Sequence, residues 1–443
     1  MTLSVQRSLQ QPLVLTGTIE PAMIPPSIEP VTIDNLALPQ ETVMPNGVRL
    51  YRLGGVRQGV VRLDILFRGG YGVQTKPLQA MFVNRMLREG AGTMCADDIS
   101  RELDYYGAWI DAYSSQECNH LTLYTMSKHF MPLLGLLETM VKEPLFLPAN
   151  LDVIKRTNKS HFIVNSNKVD VVSQRYFENS LWGNGHRFGY MVQASDYDAI
   201  TVDDLREYHS RVYNNSNCTL FLAGDADDTM LALLTEKFGA AQWGTGGALP
   251  KNSVMQPETM YGHRKITVEE SLQSSVKIGF MVPDCLPADL YRFRFLAVLL
   301  GGYFGSRLMS NIREENGYTY HIDSCLDAYG KHYAFMISSE TDNGYVAPLI
   351  KEVYNELERL VNEPIPEAEV ELVRNYIFGE LCREYEERFT KSEAFINAWL
   401  SGEPFGSVND YIETVRRVTA AELSEIARRY LGGRPMIEIV AGK

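Results

Sequence analysis

Ile200-Thr201-Val202-Asp203-Asp204-Leu205-Arg206-Glu207 and Val418-Thr419-Ala420-Ala421-Glu422-Leu423-Ser424-Glu425 read as one helix start written twice, 218 positions apart. In each copy a threonine suited to N-capping precedes apolar residues at helical spacing. The same offset, without a gap, carries Arg211 onto Arg429. It then carries Leu220-Phe221-Leu222-Ala223-Gly224 onto Glu438-Ile439-Val440-Ala441-Gly442. Each copy predicts a capped amphipathic helix followed by a closing strand. A helix–strand pair can recur by chance, but an ungapped match ending in Ala-Gly predicts a duplication. The chain then divides into an arm over 1–39, one half over 40–243, a linker over 244–260 and a second half over 261–443.

N-terminal to the repeat, prolines 12, 21, 25, 26, 30 and 39 punctuate a stretch with almost no periodicity. Proline removes backbone donors and blocks helix, so this arm is expected to run extended on the surface. Pro45-Asn46-Gly47 is a turn signal between Thr42-Val43 and Val48-Arg49-Leu50-Tyr51, which predicts a hairpin. Alternation over 61–67 predicts a strand. Helices are expected over 78–89, 96–106, 132–142 and much of 151–181, with paired strands over 108–114 and 120–126. Strands and helices mix without strict βαβ repetition, which predicts an α+β fold of two homologous domains, each an antiparallel-rich sheet packed with helices.

The chain has 443 residues, 42 Lys+Arg against 55 Asp+Glu, and a formal net charge of −13. That surplus of acid, with no clustered basic run, argues against a nucleic acid or an anionic membrane as partner. No run approaches the ~20 apolar residues that span a bilayer. Residues 1–16 carry one basic residue, Arg7, and too short an apolar core for a signal peptide. Six scattered cysteines without a Cys-x-x-Cys form neither a disulfide framework nor a zinc ribbon, and they suit a reducing cytoplasm.

In the second half, Leu299-Leu300-Gly301-Gly302-Tyr303-Phe304-Gly305-Ser306-Arg307-Leu308 leads into Ile312-Arg313-Glu314-Glu315-Asn316-Gly317-Tyr318-Thr319-Tyr320. This string resembles the second-domain signature of the insulinase/pitrilysin-type zinc peptidases, which include mitochondrial processing peptidase. The resemblance extends to Asn46-Gly47, to Phe67-Arg68-Gly69-Gly70, to the 205–224 segment and to the duplication, and so covers nearly the whole chain. It implies a peptidase-like fold in each half.

Active members of that family hold zinc through H-x-x-E-H on the first helix of the first half, with a further Glu some seventy-odd residues on. Two His at i and i+4 share a helix face, and the Glu serves as general base toward zinc-bound water. Here the helix reads Ala80-Met81-Phe82-Val83-Asn84-Arg85-Met86-Leu87-Arg88-Glu89-Gly90. The His positions hold Met81 and Arg85, and the base position holds Asn84. Asn84 cannot accept a proton, Met81 is a poor zinc ligand, and Arg85 keeps its charge. The distal Glu would fall near 159–162, where no acidic residue stands and His161 is expected as an ordinary solvated histidine. Cys118 and His120 share a strand face at ligand-like spacing, and the plainer expectation is a partly buried thiol beside an exposed imidazole. No metal or other cofactor is expected to be bound by this chain.

Arg313 and Tyr320 occupy the positions from which, in the family, an Arg and a Tyr hydrogen-bond the substrate carbonyl near the metal. Both donate to developing negative charge. Gly301, Gly302 and Gly305 suit a tight turn. Resemblance to the non-catalytic processing-peptidase subunit offers a second reading of Gly301 and Gly302, as part of a substrate-contacting loop. Trp109-Ile110-Asp111-Ala112-Tyr113-Ser114 matches the family's edge strand, which adds substrate peptide by β-augmentation, though Asp111 replaces a common Asn. Many bacterial and mitochondrial members divide the labour, one chain keeping H-x-x-E-H and the other the Arg/Tyr pair. The resemblance therefore implies a non-catalytic subunit that binds short or unfolded peptides. It would pair with a homologous zinc-bearing chain, or with itself as a homodimer, and supply Arg313 and Tyr320 in trans. The alternative is a scaffold or peptide-binding homologue with no role in proteolysis.

Overall fold

In the computed structural model, which describes residues 31–54, 59–247, 249, 256–283 and 286–443, the chain forms two sheets of matching topology. The first half runs β1 (Gln40–Val43), β2 (Arg49–Leu53), β3 (Val60–Arg68), α1 (Gln79–Met86), β4 (Gly90–Ala91), β5 (Met94–Cys95), α2 (Ala96–Tyr106), β6 (Trp109–Ser114) and β7 (Cys118–Met126). It continues through α3 (Phe130–Lys142), α4 (Pro148–Asn165), α5 (Val169–Trp182), α6 (Ala194–Ala199), α7 (Val202–Val212), β8 (Cys218–Gly224) and α8 (Asp228–Leu234). The second half runs β9 (Gly262–Thr267), β10 (Gln273–Val282), α9 (Pro287–Gly301), β11 (Thr319–Tyr329), β12 (His332–Asp342), α10 (Val346–Asn362), α11 (Glu367–Glu386), α12 (Arg388–Ser401), α13 (Ser407–Arg417), α14 (Ala420–Tyr430) and β13 (Ile437–Gly442).

The first sheet is ordered β1-β2-β8-β3-β7-β6 and the second β9-β13-β10-β12-β11. Without β1, the two orders coincide strand for strand. In each, the closing strand lies parallel to one neighbour (β8 on β2, β13 on β9) and antiparallel to the other. The repeated segments are α7–β8 and α14–β13. Thr201 Oγ1 accepts from the Asp204 N–H and Thr419 Oγ1 from the Glu422 N–H, both at 3.3 Å. Each carboxylate reaches back to the threonine N–H, closing a capping box in both copies. The fold is α+β with two homologous halves.

Both faces of β3 are buried, for different reasons. Val61, Leu63, Ile65 and Phe67 alternate onto a core with Phe82 of α1, Leu133 and Leu137 of α3, and Leu205 of α7. The opposite face carries Arg62, Asp64, Leu66 and Arg68, and it meets α12 from the second half. Arg62 donates to Glu393 Oε1 at 2.6 Å, and the Arg68 guanidinium lies 3.7 Å over the Trp399 ring. The exchange is reciprocal. Phe177, Leu181 and Trp182 of α5, in the first half, pack on Met281, Met336, Ile437 and Ile439 of the second sheet. Phe177 and Phe395 stand 218 positions apart, and both are almost fully buried.

The expected hairpin forms as β1 and β2, whose turn sets Gly47 at φ 91°, a conformation that favours glycine. The single helix expected over much of 151–181 is instead two. Helix α4 closes with Ser166 N–H on Phe162 O, and Lys168 is extended (ψ 133°), so α5 leaves in a new direction toward the other half. Residues 1–30 of the arm lie outside the described residues. Residues 31–39 do more than lie on the surface: Ile33 is buried in the second half's core, and Asn409 holds Leu36 through both its N–H and its C=O. Of the 244–260 stretch, residues 256–260 run beside α5, with Met260 N–H bonded to Ser180 O at 2.7 Å.

Candidate functional site

Arg313 and Tyr320 line one cleft of about 1020 Å³. Its walls are the start of α5 (Lys168, Asp170), the turn at Ser271 and Leu272, the segment from Arg313 to Tyr320, and the end of β12 (Glu340, Asp342). It therefore sits where α5 crosses onto the second sheet. Arg313 lies on a π-type turn (Met309–Glu315) with its guanidinium 4.7 Å over the Phe304 ring and 3.6 Å from Glu314. The phenol of Tyr320 is not engaged by any described residue, and the residue is 87% exposed. A β-bulge explains this exposure. The β11–β12 register shifts between Thr319 and Ile322, and Thr319 Oγ1 accepts from the His321 N–H at 3.1 Å while donating to Glu340 O at 2.6 Å. Such a bulge re-aims side chains that a regular strand would pair across the sheet. Two solvated donors facing one cleft can bind a carbonyl or stabilise an oxyanion.

Gly301 and Gly302 are accounted for by packing. A Cβ on Gly301, the buried last residue of α9, would lie 2.6 Å from Ser324 N on β11, and one on Gly302 would lie 2.6 Å from Val298 Cα. Ser324 Oγ also donates to Ala297 O at 2.7 Å, so helix and strand touch closely here.

The three zinc-motif positions, Met81, Asn84 and Arg85, stand on α1 in the first half, and none lines the cleft. Asn84 is buried and its amide fully engaged. Its Nδ2 donates to Tyr113 O, Ser114 Oγ and His120 O, and its Oδ1 accepts from Tyr213 Oη at 2.9 Å. Arg85 is exposed and cationic, and Met81 packs against the apolar core. On α4, Lys159 ion-pairs with Asp198 and His161 is exposed. A buried amide held in hydrogen bonds, an exposed guanidinium and a thioether do not fit a zinc ion.

Cys118 and His120 depart from expectation. The imidazole is not exposed: His120 retains 3% of its surface and stacks on Tyr113 at 4.3 Å, while Cys118 is fully buried. The α12 crossover covers the face that a free sheet would have left in water. Burial, with the nearby Arg62 charge, lowers the His120 pKa to about 4, and burial pushes the Cys118 thiol up. His120 Nε2 has no hydrogen-bond partner among the described residues. Strand β6 is an edge strand, pairing only with β7 among the described residues, and Asp111 on it is exposed.

Known proteins resemble this chain along most of its length. The family described as "Peptidase M16 inactive domain" matches residues 199–377. An uncharacterized zinc protease of Rickettsia bellii is 22% identical over 354 residues, which is 79% of this chain and 84% of the relative. The chain is similar to the insulinase-like M16 peptidase family. Another M16 relative, from Helicobacter pylori, is named a non-peptidase homolog; it is 20% identical, with 83% of this chain and 85% of the relative covered. A solved structure described as the peptidase M16 inactive domain of Pseudomonas fluorescens superposes with a TM-score of 0.81 at 20% identity, covering 91% of this chain and 98% of that one. These descriptions accord with a non-catalytic M16 chain. No helix among the described residues is long and apolar enough to cross a membrane.

Proposed function

We propose that this chain is the non-catalytic subunit of an inverted-motif zinc metallopeptidase. It binds short or unfolded peptide and presents Arg313 and Tyr320, in trans, to a homologous partner that carries H-x-x-E-H and the zinc. The observation that carries the reading is a contrast within one chain. Asn84 is built into the scaffold where a base would be needed, whereas the Tyr320 phenol is held out by a bulge into the cleft that Arg313 shares. A side chain with only a packing role has no need of such a device. Both groups are donors, and donors aimed at a developing oxyanion contribute through electrostatic preorganisation.

The five cysteines described as free, Cys95, Cys118, Cys218, Cys325 and Cys382, support a reducing compartment, and the proposal places the protein in the cytoplasm. Gly301 and Gly302 support the cleft by holding α9 against β11.

Purification of the chain at its native expression level, with metal analysis and identification of co-purifying proteins, tests the assignment. The expected result is a homologue with intact H-x-x-E-H and zinc that follows that homologue. Stoichiometric zinc on this chain alone would overturn the reading. A zinc-bearing complex indifferent to Arg313 and Tyr320 would favour the scaffold alternative.

A further inference from the structure

Glu356, on α10, does not line the cleft, yet it is taken almost wholly out of water, with 1% of its surface exposed. Burying a carboxylate is costly unless its partners compensate. Its Oε2 has no hydrogen-bond partner among the described residues. Its Oε1 accepts from Arg359 Nη1 at 2.8 Å and from Asn311 Nδ2 at 2.6 Å. Arg359 does not explain the burial. That guanidinium is half exposed and already has the exposed Glu363 at 3.5 Å, and a surface pair of this kind needs no buried carboxylate. Asn311 is the partner that comes from another element.

Asn311 lies on the π-type turn that carries Arg313. The turn is wide: the Asn316 N–H reaches back five residues to Asn311 O at 3.0 Å, the spacing that defines a π turn. Asn316 Nδ2 also donates to Asn311 Oδ1 at 2.6 Å. Gly317, at φ 66°, closes the turn with its N–H on Arg313 O at 3.1 Å. Both ends of the Asn311 amide are thus used, one within the turn and one on α10. Ile312 is buried in the second half's core and fixes the turn's rotation. Residues two apart on a helical turn point to opposite sides, and Arg313 accordingly lines the cleft while Asn311 does not. The Arg313 guanidinium lies over Phe304 and near Glu314, and it hydrogen-bonds no other element among the described residues. The turn therefore sets where its charge sits.

We infer that Glu356 and Asn311 are positioning residues, a buried acceptor and its donor that hold the π-type turn so that Arg313 faces the cleft. A carboxylate is a stronger acceptor than a neutral carbonyl, so it grips the Asn311 amide more firmly than a glutamine would. A donor contributes to an oxyanion only if it is already in place when the charge develops. Turns of this type recur at functional sites, and this one is anchored by a group whose burial packing alone does not require. The catalytic value of the pair rests on the trans role proposed for Arg313, whereas the positioning is a property of this chain alone.

Fluorine NMR of the full-length chain, with 4-fluorophenylalanine in place of Phe304, reads the guanidinium stacked over that ring. Arg313→Ala in the same labelled chain defines the signal without it. Asn311→Asp sets a carboxylate against Glu356 and should move the signal most of the way to that of Arg313→Ala. Glu356→Gln keeps an acceptor for Asn311 and should move it little. Combining the two lets the new side-chain amide donate to the new carboxylate, so the double variant should return to the wild-type signal. That rescue separates positioning from general damage to the fold. An unmoved signal in Asn311→Asp, or a change that the double variant does not reverse, would overturn the proposal. In the complex with the zinc-bearing homologue proposed for this chain, Asn311→Asp should lower kcat about tenfold with little change in KM, and the double variant should recover it. If the fluorine signals behave as expected while kcat does not change, the positioning stands and the trans role of Arg313 fails.

Discussion

Tyr213 Oη donates to Asn84 Oδ1 at 2.9 Å inside the first half, and both residues are buried. The same asparagine donates through Nδ2 to Tyr113 O and His120 O, on the paired strands β6 and β7. One amide thus ties three elements together. At the position that the sequence resemblance assigns to a general base, this chain has a structural bracket.

Restoring the motif should therefore fail in a specific way. Asn84→Glu loses both backbone-directed donations and faces a carboxylate toward two carbonyl oxygens, which should cost about 2–4 kcal/mol of stability by urea melt. The triple change Met81→His, Asn84→Glu, Arg85→His should still bind well under one zinc per chain by metal analysis. No acidic ligand stands at 159–162, and the bracket is lost.

His120 makes stability depend on pH. Its folded pKa is about 4, depressed by burial and by Arg62, against ~6.5 in an unfolded chain. The folded state therefore binds fewer protons than the unfolded state between these values. The contribution is fully present above pH ~6.5 and is lost as pH falls toward 4. Urea melts of wild type and His120→Leu at pH 7.5 and 5 isolate it: wild type should lose about 2 kcal/mol relative to the variant over that interval. A pH-independent difference would mean that the imidazole is not held neutral in the fold.

Gly301→Ala separates packing from substrate contact. Its Cβ would press on Ser324 N at 2.6 Å, so the variant should lose about 1–3 kcal/mol in a thermal or urea melt. Unchanged stability with impaired peptide binding would restore the loop reading of this glycine.

Much of this fold could be read from residues alone because the duplication kept its local signals. Thr201 and Thr419 cap helices of matching length, and the closing strands both end in Ala-Gly. The exchange of α5 and α12 could not be read. Val172, Phe177 and Leu181 make an ordinary apolar stripe, and a stripe does not say which sheet it will meet. The same crossover buried His120, since strand alternation marks a face without showing whether something from a distant segment covers it. Arg313 and Tyr320 were found through their resemblance to a family motif, whereas the bulge that exposes Tyr320 depends on the Thr319 hydroxyl bonding locally, a signal that Tyr318-Thr319-Tyr320 does not announce.

Peptidase activity of this chain assembled with the zinc-bearing homologue proposed for it, comparing wild type with Arg313→Ala and Tyr320→Phe, is the deciding measurement. The Tyr320 phenol is solvent-exposed without a hydrogen bond to a described residue, and the Arg313 guanidinium makes only surface contacts with Phe304 and its neighbour Glu314, so both variants should fold as wild type does. A fall in kcat/KM of about 10- to 100-fold is expected for each variant at unchanged zinc content, as for loss of one oxyanion donor. Full activity in both variant complexes would contradict it.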